Sequence, residues 1–466
     1  MSICHVLILA AGKGTRMKSA LPKVLHRVAG APMIDSVVAA ASSLGAATTT
    51  VVVGHEAERL KAALSAHQGI DVVLQEPQLG TAHAVLQAAP LLAGRSGTLV
   101  VLSGDVPLLS AGTLRALVEG HEAARAAATL LTAVVDDPTG YGRVIRDGDG
   151  VASVVEHRDA SPAERAVREI NAGIYAFDLA PLFPALGQIA SNNAQREYYL
   201  PDLVGIYRRA GLRVAAIPVE RPEEILGINT RAELAAMSAR VWQRRREALM
   251  ASGVTLEDPA TVYVDDGVRV GPDSVIHPGV HLLGSTRIGA RAEIHSGVRI
   301  VDSVLDADVT VLDHSVITGA RIGAGARVGP FAHLRPESDL AAGSRVGNFV
   351  ELKKTRLGAG SKASHLAYLG DATIGDKVNI GAGTITCNYD GVRKNPTVIE
   401  DEVFIGSDTQ LIAPVRVGRG AYVAAGSSIT EDVPAGALGI ARGRQENKEG
   451  WVAMKKARAS ADKKIE

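Results

Sequence analysis

The first half of the chain alternates short apolar runs with stretches of helix-like composition. The apolar runs predict strands at residues 6–11, 49–53, 72–74, 98–102 and 128–135. The stretches between them predict helices at residues 32–44, 56–65 and 81–89. Buried parallel strands read as continuous apolar runs, and alternation with helices indicates crossover connections. Residues 1–229 are therefore expected to form a doubly wound α/β domain with a mixed sheet.

The apolar period changes to six residues in the second half. The pattern comprises three runs, namely Val264, Val270, Ile276, Leu282, Ile288, Ile294 and Ile300, then Val316, Ile322, Val328, Leu334, Leu340, Val346 and Leu352, then Ile399, Ile405, Leu411, Val417, Val423 and Ile429. Neither a helix nor an ordinary strand has this period. Short repeats of six predict a parallel β-helix, in which three faces form one triangular coil and each face points one aliphatic residue inward.

Three segments depart from these two rhythms. Residues 230–251 contain no Gly or Pro and predict one long linker helix, which makes residues 252–466 the second domain. Residues 381–396 break the six-residue period and predict a loop that leaves the coil. The tail from Arg442 onward loses the period, is basic and is expected to be mobile.

Composition excludes several classes of protein. Lys plus Arg and Asp plus Glu both number 50, so the formal net charge is zero and a nucleic-acid partner is not expected. Aromatic residues make up 3% of the chain, which fits an interior too narrow for rings. Only Cys4 and Cys387 occur, so a reducing compartment is expected. No leader segment and no apolar run of ~18 residues is present, so we expect a soluble cytoplasmic protein without a membrane span.

The first predicted strand runs into a glycine-rich turn that carries cations. Gly12 and Gly14 at a strand-to-helix turn let backbone N–H groups approach phosphate, and Arg16 and Lys23 add positive charge. The spacing fits neither a dinucleotide fingerprint nor a P-loop. Asp105 follows the strand at 98–102, at the sheet edge where α/β proteins bind ligands. Such an aspartate is usually a turn residue, but with an amide oxygen it could ligate Mg²⁺.

This half resembles the sugar-phosphate nucleotidyltransferases. The similarity rests on the strings Leu-Ala-Ala-Gly-Lys-Gly-Thr-Arg-Met at 9–17, Leu-Pro-Lys at 21–23 and Ser-Gly-Asp at 103–105, and on later matches around residues 75–81, 141–143, 155–157, 171 and 227–229. The resemblance implies a Rossmann-like domain in which a sugar-1-phosphate oxygen attacks the α-phosphorus of UTP. It also implies catalytic roles for Arg16 and Lys23, and Mg²⁺ ligation by Asp105 and Asn229. The residues that it implies for substrate binding are Leu9, Ala10, Ala11, Gly12, Lys23, Gln75, Gly80, Thr81, Ser103, Gly104, Asp105, Gly142, Glu156, Asn171 and Asn229.

His365 is the candidate base of the second half. Imidazole exchanges protons near neutral pH, and an amine that attacks a thioester must lose a proton. A lone histidine is more often structural. Here, however, phosphate-capable and polar side chains surround it in sequence, among them Arg335, Lys353 and Tyr368.

These residues, in this order, resemble the acetyltransferase half of a family of bifunctional enzymes. Its members fuse N-acetylglucosamine-1-phosphate uridyltransferase to glucosamine-1-phosphate acetyltransferase, with a left-handed β-helix of hexapeptide repeats. The resemblance implies that Arg335, Lys353, Tyr368 and Asn379 hold the sugar phosphate. It implies that acetyl-CoA is held by Ala382, Asn388, Tyr389, Ser407, Ala425 and Arg442. A homotrimer with acetyl transfer at subunit interfaces is also implied, and Glu351 is a weaker candidate for orienting His365.

One position departs from this family's pattern. Glu337 stands where a glycine is usual, which puts the local turn in doubt but not Arg335. Cys387 is expected near the pocket without a covalent role, because direct amine attack needs no thiol. The leading interpretation is therefore an enzyme that acetylates glucosamine-1-phosphate and then joins the product to UTP.

Two rival functions remain open at this stage. The β-helix could be merely structural or regulatory beside an active nucleotidyltransferase. Alternatively, it could be a zinc hydratase, because His277 and His295 lie 18 residues apart and could stack on successive coils. A catalytic zinc site needs three protein ligands, and no third histidine is in register. The sequence therefore favours a solvated histidine ladder over a zinc site.

Overall fold

A computed structural model of the chain describes residues 3–148 and 150–462. It divides into two compact units, Met1–Val241 and Trp242–Glu466. No described helix is both long enough and apolar enough to cross a bilayer.

Unit 1 is built from eleven described strands and the helices between them. The strands are β1 Cys4–Leu9, β2 Arg27–Val28, β3 Ala31–Pro32, β4 Thr48–Val53, β5 Ile70–Leu74, β6 Thr98–Ser103, β7 Ala128–Val134, β8 Arg143–Asp147, β9 Gly150–Val155, β10 Glu169–Asp178 and β11 Val214–Pro218. The α-helices are α1 Met33–Ser42, α2 Ala57–Leu64, α3 Thr81–Leu86, α4 Ala89–Leu92, α5 Ala111–Ala124, α6 Pro162–Arg165, α7 Leu179–Leu186 and α8 Leu203–Arg209.

The main sheet confirms the doubly wound prediction. Its order is β11-β7-β10-β6-β1-β4-β5, and β10 runs antiparallel to both of its neighbours. The β8–β9 hairpin pairs with the edge of β10. Side chains of β1 alternate between two apolar clusters, with Leu7 on one face and Val6 and Ile8 on the other. Both faces of the sheet are therefore covered by helices, as a buried parallel sheet requires.

Unit 2 is a left-handed parallel β-helix with three faces, as the hexapeptide periodicity predicts. The strands of face 1 are Thr255–Leu256, Val275–Ile276, Glu293–Ile294, Thr310–Val311, Arg327–Val328, Arg345–Asn348, Lys362–His365, Asn379–Ile380, Phe404–Ile405, Tyr422–Val423 and Leu438–Gly439. Those of face 2 are Tyr263–Val264, His281–Leu283, Arg299–Val301, Val316–Thr318, His333–Leu334, Glu351–Lys353, Tyr368–Gly370, Ile385–Cys387, Gln410–Ile412 and Ser428–Ile429. Those of face 3 are Arg269–Val270, Arg287–Ile288, Val304–Leu305, Arg321–Ile322, Asp339–Leu340, Arg356–Leu357, Ala372–Ile374, Thr397–Ile399 and Val415–Val417.

The prediction that Val316 points into the core of the coil is wrong. The structure buries Ile317 completely and leaves Val316 half-buried, although the sequence pattern assigned Val316 to the core. The side of the coil from Ile300 to Leu305 has five residues instead of six, and the side from Ile317 to Ile322 is again short. Each short side shifts the register by one residue, so the count that fits Val264 to Ile300 no longer fits from Leu305 onward. Counting back in sixes from Ile322 therefore points Val316 inward instead of Ile317.

The loop of unit 2 is shorter than the sequence predicts. Ile385–Cys387 is a strand, so the chain leaves the coil only over residues 388–396. Thr386 takes the inward position and is fully buried. Its hydroxyl oxygen accepts a 2.7 Å hydrogen bond from the Gly370 N–H. The strand was not predicted because its buried residue is polar and the six-residue pattern was read from apolar residues.

Two helices flank the coils. Helix α9, Arg231–Ala251, contains the boundary between the two units, and the predicted limits of the linker at 230 and 251 stay a prediction. Helix α10, Trp451–Asp462, forms within the tail that was expected to be mobile, and its described side chains at 451–460 are exposed. The tail lysines at 463 and 464 lie outside the described residues.

Candidate active sites

A cleft of about 500 Å³ opens at the carboxyl ends of β1 and β6 in unit 1. Its lining includes most residues predicted for nucleotide binding, namely Leu9, Ala10, Ala11, Gly12, Lys23, Gln75, Gly80, Thr81, Ser103 and Asp105. Gly104 closes the floor, since its N–H donates to the Leu9 carbonyl at 3.0 Å and an added Cβ would lie 3.1 Å from that oxygen. The parallel strands thus bring segments far apart in sequence to one edge of the sheet.

Four of the predicted residues form one charged cluster at this cleft. The Lys23 ammonium donates to a carboxylate oxygen of Asp105 and, at 2.7 Å, to Oδ1 of Asn229. The Arg16 guanidinium donates to the same amide oxygen at 2.8 Å. The Glu233 carboxylate accepts from the Asn229 N–H at 2.5 Å, which fixes the start of α9 beneath the cluster. Two cationic donors and two oxygen acceptors therefore converge at one point.

The glycine-rich turn differs from its prediction in one respect. Gly14 adopts φ +59°, and a Cβ there would lie 2.6 Å from Cβ of Lys23, so glycine is required for the lysine to approach. The turn leads into a single 3₁₀ turn, Thr15–Met17, rather than into an α-helix. The positive charge at this end of the cleft consequently comes from side chains and not from a helix N-terminus.

The far end of the cleft is shaped by Gln75 and the start of α3. The buried Gln75 amide donates to the Gly80 carbonyl at 3.0 Å, and it lies 3.1 Å from Nδ1 of His83. Gly80 adopts φ +110°, and a Cβ there would lie 2.6 Å from the Tyr198 carbonyl oxygen. These contacts hold the 75–81 segment in place at the wall of the cleft.

Three residues predicted to hold a sugar lie together beside the cleft. The Asn171 N–H donates to the Gly142 carbonyl at 2.9 Å, and the Asn171 amide donates to the Tyr175 hydroxyl at 2.6 Å. A Cβ on Gly142 would lie 3.1 Å from a carboxylate oxygen of Glu156. This pocket is polar, close-packed and has one acidic wall.

The environment of Glu156, the acidic residue of this pocket, changes the pKa of its carboxyl group. Burial raises the pKa of Glu156, and the charges of Asp159 and Asp202 raise it further. The same acidic residues line an adjoining cavity of about 460 Å³ together with Tyr199. Burial, aided by the charges of Asp159, Glu156 and Glu197, raises the pKa of Tyr199 to about 12. The arrangement favours groups that donate hydrogen bonds, such as sugar hydroxyls.

His365 lies on the outside of the β-helix at the end of a face 1 strand, with its ring exposed. Its Nδ1 lies 2.7 Å from Oδ1 of Asn348, its partner on the preceding coil. Glu351, the weaker candidate for this contact, instead pairs with Arg335 at 2.9 Å. The glutamate lies on face 2 and the histidine on face 1, so the sequence proximity of the two was misleading.

Four of the six residues predicted for acetyl-CoA, Ala382, Ser407, Ala425 and Arg442, follow His365 along one edge of face 1. The Asp408 N–H donates to the Ala382 carbonyl at 2.7 Å, and the Gly426 N–H donates to the Ser407 carbonyl at 2.8 Å. The Arg442 guanidinium donates to the Ala425 carbonyl at 2.7 Å. These contacts join successive coils, so the predicted residues form a column from the imidazole to a terminal cation.

A second group of predicted residues lies on face 2. Tyr368 and Asn388 meet above Gly370, where an added Cβ would lie 2.5 Å from the tyrosine oxygen and 2.8 Å from the amide nitrogen. The Asn388 amide donates to the Asp371 carboxylate at 2.5 Å. Tyr389 is exposed in the loop and donates to the Gly391 carbonyl at 2.6 Å. Asn379, by contrast, lies on face 1, so one chain distributes the predicted sugar-phosphate residues over two faces.

Lys394 is a candidate site residue that the sequence did not reveal. Hydrogen bonding and charge repulsion from the neighbouring Lys353 amine lower the pKa of Lys394. The lysine belongs to the loop outside the six-residue repeat, and the Tyr389–Lys394 bridge folds that loop back. Two amines held this close favour an anion between them. Burial raises the pKa of the Cys387 thiol.

Comparisons with known proteins match both units. Residues 6–170 match the MobA-like NTP transferase domain, and residues 267–302 and 396–431 match the bacterial transferase hexapeptide (six repeats). The bifunctional protein GlmU of Exiguobacterium sp. is 53% identical over 447 residues, which cover 96% of this chain and 98% of that protein. The bifunctional protein GlmU of Trichlorobacter lovleyi is 50% identical, covering 98% and 99%. That of Pelobacter propionicus is 52% identical, covering 97% and 98%.

Proposed function

The chain belongs to the family of bifunctional GlmU proteins, and from this premise we propose how its two units divide two transfer reactions. The β-helix transfers the acetyl group of acetyl-CoA to glucosamine-1-phosphate. The α/β unit transfers UMP from UTP to the resulting N-acetylglucosamine-1-phosphate, giving UDP-N-acetylglucosamine and pyrophosphate. The observation that carries this division is that each unit holds its own cluster of reactive groups, around Lys23 in one and His365 in the other.

Uridylyl transfer needs charge neutralisation more than proton transfer. The attacking sugar-phosphate oxygen is already an anion. It forms a bond to the α-phosphorus while the bond to the bridging oxygen of pyrophosphate breaks. Lys23 lines the cleft and Arg16 shares the Asn229 amide oxygen with it, so both would neutralise the phosphate chain. The glycine turn at residues 12–14 would let that chain approach the backbone. Alignment and preorganised positive charge are the main sources of rate enhancement in such a step.

Asp105 and Asn229 fit a divalent cation. The family implies a metal requirement, and both side chains direct an oxygen at the Lys23 ammonium, a position that already suits positive charge. A carboxylate and an amide oxygen are hard donors, so we propose Mg²⁺ rather than a softer metal. When bound, Mg²⁺ supplies additional neutralisation of the triphosphate. Gln75, Gly80 and Thr81 would contact the base, and Gly142, Glu156 and Asn171 the acetylated sugar.

Acetyl transfer requires a base, and His365 is placed to act as one. Its Nδ1 faces the Asn348 amide oxygen, so Nε2 is left to accept a proton from the sugar ammonium or from the attacking amine. The amine nitrogen then bonds to the acetyl carbon, the carbon–sulfur bond breaks, and the CoA thiolate takes up a proton. Arg335, Lys353, Tyr368 and Lys394 would hold the sugar phosphate.

The acetyl donor would lie along the column of face 1. Ala382, Ser407 and Ala425 offer small side chains on successive coils, so an extended chain can lie against the backbone. Arg442 stands at the far end, where the donor's phosphates would be. Asn388 and Tyr389 would border the acetyl group from the loop.

We also propose that the chain acts as a homotrimer. Support comes from the hexapeptide repeats, which suggest oligomerisation, and from the distribution of Asn379 and Arg335 over different faces of one chain. A neighbouring copy would bring the two faces together. Two free cysteines support a cytoplasmic location.

One assay tests the proposed function. The full-length chain is incubated with glucosamine-1-phosphate, acetyl-CoA, UTP and Mg²⁺, and products are identified by mass while each component is omitted in turn. We expect UDP-N-acetylglucosamine, pyrophosphate and free CoA. If supplied N-acetylglucosamine-1-phosphate is converted but no CoA is ever released from glucosamine-1-phosphate, the β-helix is not an acetyltransferase and the rival structural role is correct.

A further inference from the structure

Two histidines stack on the first coils of face 1, far from His365. The ring centroids of His277 and His295 lie 4.6 Å apart, with 18° between the ring planes. Both side chains are mostly buried, at 20% and 25% exposure. Four coils separate His295 from His365, a distance of about 19 Å at the ~4.8 Å spacing of paired strands. The pair is therefore separate from the acetyl-transfer residues.

A carboxylate completes this pair as a set of three ligands. Oε1 of Glu293 lies 3.3 Å from Nε2 of His295 and 3.7 Å from Nε2 of His277. The ligand atoms of the three residues all lie within 4.8 Å of one another, and among the described residues they form the one such set. Tetrahedral zinc with bonds of about 2.0–2.2 Å separates its ligand atoms by roughly 3.3–3.6 Å. Two of the three separations are thus close to those of a metal site.

The second nitrogen of each imidazole faces an outer carboxylate. Nδ1 of His277 lies 2.9 Å from Oε2 of Glu257, and Nδ1 of His295 lies 3.7 Å from Oδ2 of Asp313. Histidines that ligate metals almost always have such a partner, which fixes the tautomer and leaves Nε2 for the metal. Nε2 of His277 is buried and has no hydrogen-bond partner within residues 3–148 and 150–462. A ladder of hydrogen-bonded surface histidines would not leave that nitrogen unpaired.

We propose that His277, Glu293 and His295 bind one divalent transition-metal ion of the zinc class, with water as the fourth ligand. Two imidazoles and one carboxylate select zinc, cobalt or nickel over magnesium, which prefers all-oxygen ligands. Three carboxylates surround the two imidazoles, so a dication also offsets local negative charge. Glu257, His277 and His295 come from three successive coils. The metal therefore links the N-terminal coils of the β-helix and stabilises them.

Zinc titration of the full-length chain tests this site. The chelator-treated protein is titrated with Zn²⁺ by calorimetry in excess Mg²⁺, which occupies oxygen-ligand sites, and Co²⁺ is added separately to read its visible absorption. We expect one zinc per chain with micromolar or tighter Kd, a tetrahedral Co²⁺ spectrum, and a Tm that rises with Zn²⁺. Glu293→Gln keeps the side-chain volume but should lose the zinc binding, the tetrahedral Co²⁺ spectrum and the rise in Tm. The double variant His277→Ala/His295→Ala should lose them as well.

Two further variants separate this site from general surface binding. Glu257→Gln removes only an outer partner and should weaken zinc roughly 10- to 100-fold. His314→Ala removes an exposed histidine that stacks on Phe331 of the same β-helix and should leave zinc binding unchanged. Equal zinc stoichiometry in wild type and the double variant would overturn the proposal. So would the absence of micromolar binding in wild type, which would leave a solvated histidine ladder.

Discussion

The imidazole Nδ1 of His365 lies 2.7 Å from the amide Oδ1 of Asn348, the residue paired with it on the preceding coil. An amide oxygen only accepts hydrogen bonds, so it holds the proton of the neutral ring on Nδ1. Nε2 is then the nitrogen with a free lone pair.

Asn348→Ala should therefore slow acetyl transfer without removing the base. We expect kcat to fall about 10- to 100-fold, less than the roughly 10²- to 10⁴-fold loss expected for His365→Ala. KM for acetyl-CoA should change little, because Asn348 does not belong to the donor column. Steady-state release of CoA measures both constants, and uridylyl transfer by the same variant is the internal control. An unchanged kcat would show that the tautomer is set by some other contact.

Asp105→Asn should stop uridylyl transfer and leave acetyl transfer intact. The substitution removes the negative charge that pairs with Lys23 and that we assign to the metal. Loss of one preorganised electrostatic contact typically costs about 10²- to 10³-fold in kcat. Pyrophosphate release is measured across Mg²⁺ concentrations, with Asp71→Asn, an exposed aspartate of β5, as the matched control. Undiminished pyrophosphate release would remove Asp105 from the site.

Glu156→Gln should stabilise the fold at neutral pH while weakening sugar binding. Because burial and nearby carboxylates raise the pKa of Glu156, the folded chain binds this proton more tightly than the unfolded chain does. The charged form therefore destabilises the fold above the raised pKa, and stability is regained as the pH falls through it. We expect Tm of the variant to exceed wild type at neutral pH and the difference to shrink in mild acid.

Glu164→Gln is a control, because the pKa of Glu164 is shifted in the opposite direction from that of Glu156. Hydrogen bonds from Ser161 lower the pKa of Glu164, so its charged form stabilises the fold above its ordinary pKa. The variant should not gain stability at neutral pH. Thermal unfolding of both variants across neutral to mildly acidic pH makes the comparison. A Tm of Glu156→Gln that follows wild type at every pH would contradict the electrostatic argument, and KM for N-acetylglucosamine-1-phosphate should rise in that variant alone.

Lys394→Met should raise KM for glucosamine-1-phosphate about 10-fold with little change in kcat, because hydrogen bonds between an ammonium and a phosphate are among the stronger ones. The lowered pKa of Lys394 means that its charge is lost at lower pH than that of an ordinary lysine. In wild type, KM should therefore rise as the pH increases into the alkaline range, and the variant should lack that rise. Lys377→Met, an exposed lysine on a corner of the coil, is the control. Identical pH profiles for the two variants would exclude Lys394 from the site.

Gly370→Ala should disturb acetyl transfer through steric contact alone. The new methyl group would lie 2.5 Å from the Tyr368 oxygen and 2.8 Å from the Asn388 amide, so both side chains must move. We expect a higher KM for the sugar phosphate and an intact fold. Gly443→Ala, where nothing lies within 4 Å of the added atom, should behave as wild type in the same assay and in thermal unfolding. Equal kinetics of the two variants would show that Tyr368 and Asn388 need not hold this geometry.

The architecture could be predicted because each element has a simple period. The apolar positions in strands such as β4 and β6, and in the six-residue repeat, are the positions that are buried in the fold. The predictions were wrong where the spacing changes or where a buried residue is polar. Ile317 was missed because one side of the coil is a residue short, and Thr386 was missed because its hydroxyl is satisfied inside the core.

The candidate sites could be predicted only where a motif is local. The residues from Leu9 to Lys23 are contiguous or nearly so, whereas Asn229 reaches Lys23 through the fold. Asn348 lies 17 residues before His365, one coil away, and no local string connects the two. Glu293 was not predicted as a third zinc ligand, because the prediction considered only histidines spaced by whole coils. The Glu293 carboxylate, two residues before His295, projects to the same side as the imidazole and lies 3.3 Å from its Nε2.

The column from His365 to Arg442 has a length that changes only in steps. Four coils separate the strand of the imidazole from the last strand of face 1, which is about 19 Å at ~4.8 Å per coil. Adding or deleting a whole turn would move the cation by one such step, and intermediate lengths are inaccessible to a stacked coil. The distance from the imidazole to the terminal cation is therefore set by the number of turns between them, and with it the length of the donor that we propose for this column.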